Sequence, residues 1–293
     1  MTDAAPPAPG HGTPGHGAPG PGTSGPSATG AGTPGHGAPG PGAPGHVAAG
    51  PGTAGPGTAV RGTSGPGAAV PGTADAGAPG AGASVLARLA AHRLVPVVVI
   101  DAAADADALG TALVDGGLPV AEVTFRTAAA ADAIRVLRDR GDVLVGAGTV
   151  LTVDQVDQAV AAGADYVVSP GTSRAVVERC AEHGVLALPG AVTATEVQAA
   201  LELGVTTVKF FPAGTSGGAP AIAALAAPFG GVRFVPTGGV GPKNLADYLA
   251  LPSVAAVGGS WMVPRDLVRA GDVDGVRTLV ADAVALATSL RPA

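Results

Sequence analysis

The chain has 293 residues, with 48 Gly, 28 Pro and a formal net charge of −6. Residues 1–82 hold 25 Gly and 16 Pro and no Trp, Tyr, Phe, Ile or Leu. Such a segment cannot bury enough apolar surface to offset the entropy of ordering its backbone, which excludes a globular N-terminal domain. The body, residues 83–293, carries 15 basic and 20 acidic residues, a mildly acidic balance that argues against a nucleic-acid footprint and against a polybasic membrane anchor.

In chain order, the first feature is an eleven-residue repeat, GTPGHGAPGPG, at 12–22 and again at 32–42. It has no apolar face to stack and no strict every-third glycine, so it is neither a solenoid unit nor collagen. We read residues 1–82 as a disordered, low-complexity Gly/Pro/Ala-rich arm, partly polyproline-like. Four of the six histidines lie in it, at His11, His16, His36 and His46; they fit weak metal or partner contact, or plain compositional drift. The residues after Met1 lack a basic and an apolar stretch, so a secretory signal is not expected. With no run of about 18 apolar residues either, the expected location is the cytoplasm.

Order is expected to begin near Ser84, a good N-cap for Val85, Leu86 and Leu89 at helical spacing. From Leu94 onward, Val-rich runs alternate with Ala-rich amphipathic stretches. The predicted strands are 95–100, 120–125, 143–147, 166–169, 185–188, 207–210, 232–236 and 254–257. Near-continuous apolar runs suit parallel strands buried on both faces. Thr152, Thr172 or Ser173, and Thr193 are expected helix caps, with Gly163, Gly184 and Gly204 at the helix ends. Pro242 is expected in a first helical turn. Eight strand–helix units in one domain, residues 83–293, predict an α/β fold of the (β/α)8 TIM-barrel type. In such barrels chemistry sits at the C-terminal ends of the strands.

The chain has two lysines. Lys243 is expected exposed on a helix. Lys209 lies in Thr207-Val208-Lys209-Phe210-Phe211, at the end of the sixth strand. Apolar surroundings lower an amine's affinity for its proton, and a neutral amine is what a Schiff-base nucleophile needs. The other reading is a buried stem whose head reaches a carboxylate. Glu122, one of five Glu, shares a strand face with Thr124 and Arg126. That face is expected to point to the barrel mouth, where Glu122 fits a general base and Arg126 a carboxylate fork, or the two form a structural pair. Gly146-Ala147-Gly148-Thr149 ends the third strand, so substrate can approach backbone there beside the Thr149 hydroxyl. Gly238-Gly239 and Gly258-Gly259-Ser260 follow the seventh and eighth strands, the usual phosphate position in these barrels, or serve as tight turns. Cys180 and His183 fall on an outer helix, away from the mouth. The lone cysteine excludes an intramolecular disulfide. Gly238–Gly241 is a poor dinucleotide fingerprint, and no carboxylate–histidine constellation suggests a metal.

Six segments in order then become recognisable: Glu122-Val123-Thr124-Phe125-Arg126-Thr127, Gly146-Ala147-Gly148-Thr149-Val150, Ser169-Pro170-Gly171, Lys209-Phe210-Phe211-Pro212-Ala213, Pro236-Thr237-Gly238-Gly239 and Gly258-Gly259-Ser260-Trp261. The body, about residues 84–290, resembles the 2-keto-3-deoxy-6-phosphogluconate (KDPG) and 4-hydroxy-2-oxoglutarate (KHG) aldolase family. The resemblance implies a class I aldolase, usually trimeric, that needs no metal or other cofactor because its intermediate is a Schiff base on Lys209. It implies an acid/base role for Glu122 and a pyruvate pocket made by Arg126, Thr149, Pro170 and Phe211. Gly238, Gly239, Gly259 and Ser260 resemble the phosphate site. The implied partner is a small phosphorylated 2-keto-3-deoxy sugar acid, with neither nucleic acid nor membrane, and the implied products are pyruvate and glyceraldehyde 3-phosphate. Gly214 departs from the family, which commonly has Glu there, and is expected to loosen the loop after the sixth strand. Alternatives are the same chemistry on the galactonate epimer, a phosphosugar isomerase or epimerase, and a scaffold whose active part is the arm.

Overall fold

A computed structural model describes residues 81–290. The arm, with its repeat and four histidines, lies outside these residues except for Ala81 and Gly82, which already belong to the first helix. That helix, α1 (Ala81–His92), starts before Ser84, which sits within it rather than capping it. The rest runs β1 (Leu94–Val98), α2 (Asp105–Asp115), β2 (Val120–Thr124), α3 (Ala130–Arg140), β3 (Leu144–Gly148), α4 (Val153–Ala161), β4 (Tyr166–Val168), α5 (Arg174–Glu182) and β5 (Leu186–Leu188). It continues with α6 (Ala194–Glu202), β6 (Thr207–Phe210), α7 (Gly218–Ala226), β7 (Arg233–Pro236), α8 (Leu245–Leu249), β8 (Val257–Gly259), α9 (Arg265–Ala270) and α10 (Val273–Ser289).

The expected caps divide by mechanism. Thr152 and Thr193 accept from backbone N–H groups at the starts of α4 and α6, and Thr193 with Glu196 completes a capping box. Ser173 occupies the cap position of α5 without a side-chain cap bond, and Thr172 instead donates its hydroxyl to Gly190 O at 2.9 Å. Gly163, Gly184 and Gly204 take positive φ past the helix ends, as a left-handed terminator must. Pro242 lies in a turn ahead of α8, whose cap position is Asn244.

The sheet is parallel throughout and curls on itself. Six strands pair in the order β5-β4-β3-β2-β1-β8, and β6 pairs with β7. The two groups meet at two narrow seams rather than in one unbroken ladder. At one, Gly190 bridges Lys209: Lys209 N–H donates to Pro189 O at 2.8 Å and Ala191 N–H donates to Lys209 O at 2.9 Å. Pro189 has no N–H, so this seam cannot lengthen into a ladder. At the other, Phe234 bridges Val254 and Thr237 bridges Gly258.

The eighth strand differs from the sequence expectation. Residue 254 only bridges β7, and pairing with β1 begins at Val257 and runs through Gly258 and Gly259. Strand propensity disfavours glycine, but here packing requires it. A Cβ at Gly258 would run into the Thr237 side chain, and one at Gly259 into the Trp261 ring. Inside the curl, a Cβ at Gly146 would likewise strike the fully buried Tyr166 ring.

Helices cover the outside. Arg140 crosses Gly110 to reach Asp107 and Asp142, which ties α3 to α2. Cys180 is buried on α5, and burial raises its thiol pKa to about 11. His183 Nε2 lies 2.8 Å from Asp157 Oδ1 on the outer surface. Neither is at the C-terminal ends of the strands. No helix among the described residues is long and apolar enough to cross a membrane.

A thiol so protonated and so covered is a poor nucleophile. At about pH 8 the native protein should therefore give no reaction with a disulfide reagent such as DTNB over minutes, and one thiol per chain after denaturation. Rapid reaction of the native protein would mean that α5 opens or that the thiol is not buried.

Candidate active site

The site is organised by one charged pair. Lys209 Nζ donates to Glu122 Oε1 at 2.9 Å, with the two side chains 7% and 3% exposed. β2 and β6 stand on different walls of the curled sheet, so each side chain must cross the interior to reach the other. The backbone of Lys209 is clamped at the seam through both its N–H and its carbonyl, which fixes where its stem leaves the wall. The Phe211 ring centroid lies 5.3 Å from Nζ, and such a ring face favours a cation. Glu122 has its own constraint. A Cβ at Gly148 would overlap its carboxylate, so the glycine ending β3 is the space that the carboxylate occupies.

Among the described residues two buried polar atoms, Thr207 Oγ1 and Trp261 Nε1, have no hydrogen-bond partner; the polar groups around the pair do. Thr124, expected on the same face as Glu122, donates its hydroxyl to Val98 O at 3.0 Å and stitches β2 to β1. Tyr166 donates to Ala121 O at 2.9 Å. Burial first, then the charges of Glu122 and Asp165, push its pKa well above the ordinary phenol value, so it remains a neutral donor.

At the C-terminal ends of β7 and β8 opens a cleft of about 330 Å³ that neither Lys209 nor Glu122 lines; Phe211, whose ring lies beside Lys209 Nζ, connects the pair to it. Arg126, Phe211, Gly238, Gly239, Gly259 and Ser260 all line it, as does Arg265. Arg126 is exposed just past β2 and makes no ion pair among the described residues. Gly238 and Gly239 take φ of 87° and 77°, a backbone that side-chain-bearing residues rarely adopt. The Phe211 ring stands 3.0 Å from where a Gly238 Cβ would be, and Gly214 Cα 3.2 Å from one at Gly239.

Thr149 and Pro170 do not line this cleft. Thr149 follows β3 with φ 58°, a strained value for a β-branched residue and one associated with functional positions. Pro170 approaches the Lys209 seam from the other side: its carbonyl fills the Cβ position of Gly190, the residue bridged to Lys209.

Two observations depart from the sequence reading. The loop after β6 is not loosened by Gly214, because Ala213 N–H donates to Thr237 O and Gly214 N–H to Gly238 O, both at 2.8 Å. These are backbone bonds, indifferent to the missing side chain. Arg265, with its partner Asp101, escaped notice altogether. The available signal was a charged residue in each of the segments that follow β1 and β8, Asp101 three positions past β1 and Arg265 at the start of α9, at the end where such folds do chemistry. Among the described residues no cluster of three or more His, Cys, Asp or Glu could hold a metal ion.

Comparison with known proteins places this site in context. Residues 85–279 match the family model for KDPG and KHG aldolase. The 2-dehydro-3-deoxy-phosphogluconate aldolase of Treponema pallidum is 53% identical over 188 residues, 64% of this chain and 90% of that protein. The KHG/KDPG aldolase of Escherichia coli K12 is 43% identical over 192 residues, 65% of this chain and 90% of that one. Among solved structures, the KDPG aldolase of Legionella pneumophila, with pyruvate captured as a covalent carbinolamine, is 39% identical with a TM-score of 0.65. The match covers 68% of this chain and 97% of that one. An ordered set of strand-end motifs, a family model across most of the body and relatives covered over nine-tenths of their length agree: the chain belongs to the KDPG and KHG aldolase family.

Proposed function

We propose that the chain is a class I aldolase. It cleaves 2-dehydro-3-deoxy-6-phosphogluconate to pyruvate and glyceraldehyde 3-phosphate, and 4-hydroxy-2-oxoglutarate to pyruvate and glyoxylate. The observation that carries this reading is the buried Lys209–Glu122 pair beside a cleft lined by Arg126 and Arg265. In that pair the only lysine of the interior already touches the group able to take its proton. The covalent carbinolamine of the Legionella relative supports the same route.

In this reading Glu122 accepts a proton from Lys209, and the neutral amine attacks the C2 ketone to form a carbinolamine. Loss of water leaves an iminium. A base then removes the C4 hydroxyl proton and the C3–C4 bond breaks. Its electron pair flows into the iminium, leaving an enamine and releasing the aldehyde. Glu122 moves the protons at the carbinolamine and, through a water, at the C4 oxygen. Protonation of C3 and hydrolysis of the imine return the amine and release pyruvate. Arg126 and Thr149 hold the substrate carboxylate, with Pro170 and Phe211 around the pyruvyl group. Gly238, Gly239, Gly259 and Ser260 cradle the phosphate through backbone N–H groups and one hydroxyl. The two strand groups together act as a closed (β/α)8 barrel, the enzyme works in the cytoplasm, and the assembly is a homotrimer.

Lys209→Ala should lower pyruvate release from either substrate by at least about 10³-fold, because the covalent route is lost. Glu122→Gln should lower it by about 10²–10⁴-fold. Activity of Lys209→Ala within tenfold of the parent would overturn the reading, and faster turnover of the galactonate epimer would reassign the substrate. Light scattering should give three times the chain mass of 27.6 kDa; a single chain mass would refute the trimer.

A further inference from the structure

We infer that Arg265, held in place by Asp101, is a second cation of the cleft and selects for substrates that carry a phosphate at the end remote from the reacting carbon. That the anion is a substrate phosphate rests on the aldolase reading above; that an anion binds there does not. Arg265 lines the same cleft as Gly238, Gly239, Gly259 and Ser260. Its guanidinium donates from Nε to Asp101 Oδ2 at 2.9 Å and from Nη2 to Asp101 Oδ1 at 2.5 Å. Asp101 lies just beyond β1, the neighbour of β8 in the sheet, so this fork fixes the guanidinium between two adjacent loops of the mouth.

The fork leaves donors to spare. A guanidinium has five N–H groups, and the bonds to Asp101 use one on Nε and one on Nη2. No other hydrogen bond of Arg265 occurs among the described residues. The free Nη1 edge matches two oxygens of a phosphate, as arginine commonly does. The side chain is 59% exposed, so an anion can reach it.

Asp101 cancels most of the long-range field of Arg265, so its contribution is short-range and geometric. The cleft then holds two guanidiniums with different duties. Arg126 has no ion pair and suits the carboxylate. Arg265, pre-oriented by Asp101, meets a phosphate already bonded to backbone N–H groups. 4-Hydroxy-2-oxoglutarate ends in a C5 carboxylate, several bonds short of a phosphate on C6, so its distal charge does not reach the guanidinium as the phosphate does. The alternative is an exposed ion pair that merely straps the two loops, a kind of contact that usually contributes little.

The test is steady-state kinetics of Arg265→Gln on both substrates, with a ³¹P NMR titration of inorganic phosphate. KM for the phosphorylated substrate should rise about tenfold with kcat within about twofold, kcat/KM for 4-hydroxy-2-oxoglutarate should stay within about twofold, and the phosphate Kd should rise in parallel. Arg265→Lys should recover only a small part of the loss, because an ammonium keeps the charge but cannot hold the Asp101 fork and two phosphate oxygens together. Adding Asp101→Asn to Arg265→Gln should cost nothing more, because Asp101 acts only through the guanidinium. Unchanged KM and phosphate Kd would overturn the proposal, and so would equal losses on both substrates, the mark of a loop strap. A parent enzyme silent on both substrates would sink the aldolase reading instead, and the phosphate titration alone would then decide the role of Arg265.

Discussion

A lysine and a glutamate meet in the middle of a largely apolar interior, and much of the sequence around them serves that meeting. An isolated buried ion costs roughly several kcal/mol even after the protein relaxes, so each of these groups requires the other. Their 2.9 Å contact also spans the sheet, from β2 to β6. It therefore links the long six-stranded group to the β6–β7 pair where the ladder itself is reduced to the bonds around Lys209. Space for the pair comes from deleted side chains. Gly148 makes room for the carboxylate, and Gly146 makes room for the Tyr166 ring beside it. The neutral Tyr166 hydroxyl spends its proton on a backbone carbonyl and leaves the Glu122 carboxylate to the lysine. In the proposed mechanism the same arrangement holds a nucleophile next to its proton acceptor, so that stability and chemistry draw on the same two residues.

Much of this was legible from residue order, and what was missed has physical causes. Period-two alternation put Glu122 and Arg126 on one face; Glu122 lies in the buried pair, whereas β2 ends at Thr124 and Arg126 lines the cleft from the turn beyond it. The lysine between Val208 and Phe210 stood out because charge is costly in such a run. Strand limits were harder. β8 lies over Gly258 and Gly259, where Thr237 and Trp261, side chains distant in sequence or folded back, leave no room for a Cβ. No local propensity carries that information. The loop at Gly214 was misread for a similar reason: a side chain was missing from an expected motif, while the loop is held by backbone bonds that no motif displays. The pairing of Asp101 with Arg265 spans 164 residues and depends on β1 lying next to β8, a closure that is a property of the whole sheet.

The mouth of the fold shows how charge is shared among these elements. Lys209 is matched by Glu122 and Arg265 by Asp101, whereas Arg126 has no ion pair among the described residues. Backbone N–H groups at Gly238 and Gly239 add directional donors without net charge, in a conformation that glycine alone adopts cheaply. A dianionic substrate with its charges at opposite ends fits such a distribution better than a neutral sugar does. The acidic body charge is then compatible with an anionic ligand, because attraction is local to the cleft rather than a property of the net charge.

The most direct test of the account is borohydride reduction in the presence of pyruvate, followed by peptide mass mapping. The chain has two lysines, so Lys243, exposed ahead of α8, is a built-in control. The account predicts one reduced pyruvyl adduct per chain, on the peptide containing Lys209 and absent from the one containing Lys243. A folded protein that acquires no adduct, or acquires it equally on both lysines, would contradict the claim that the buried pair holds a Schiff-base nucleophile.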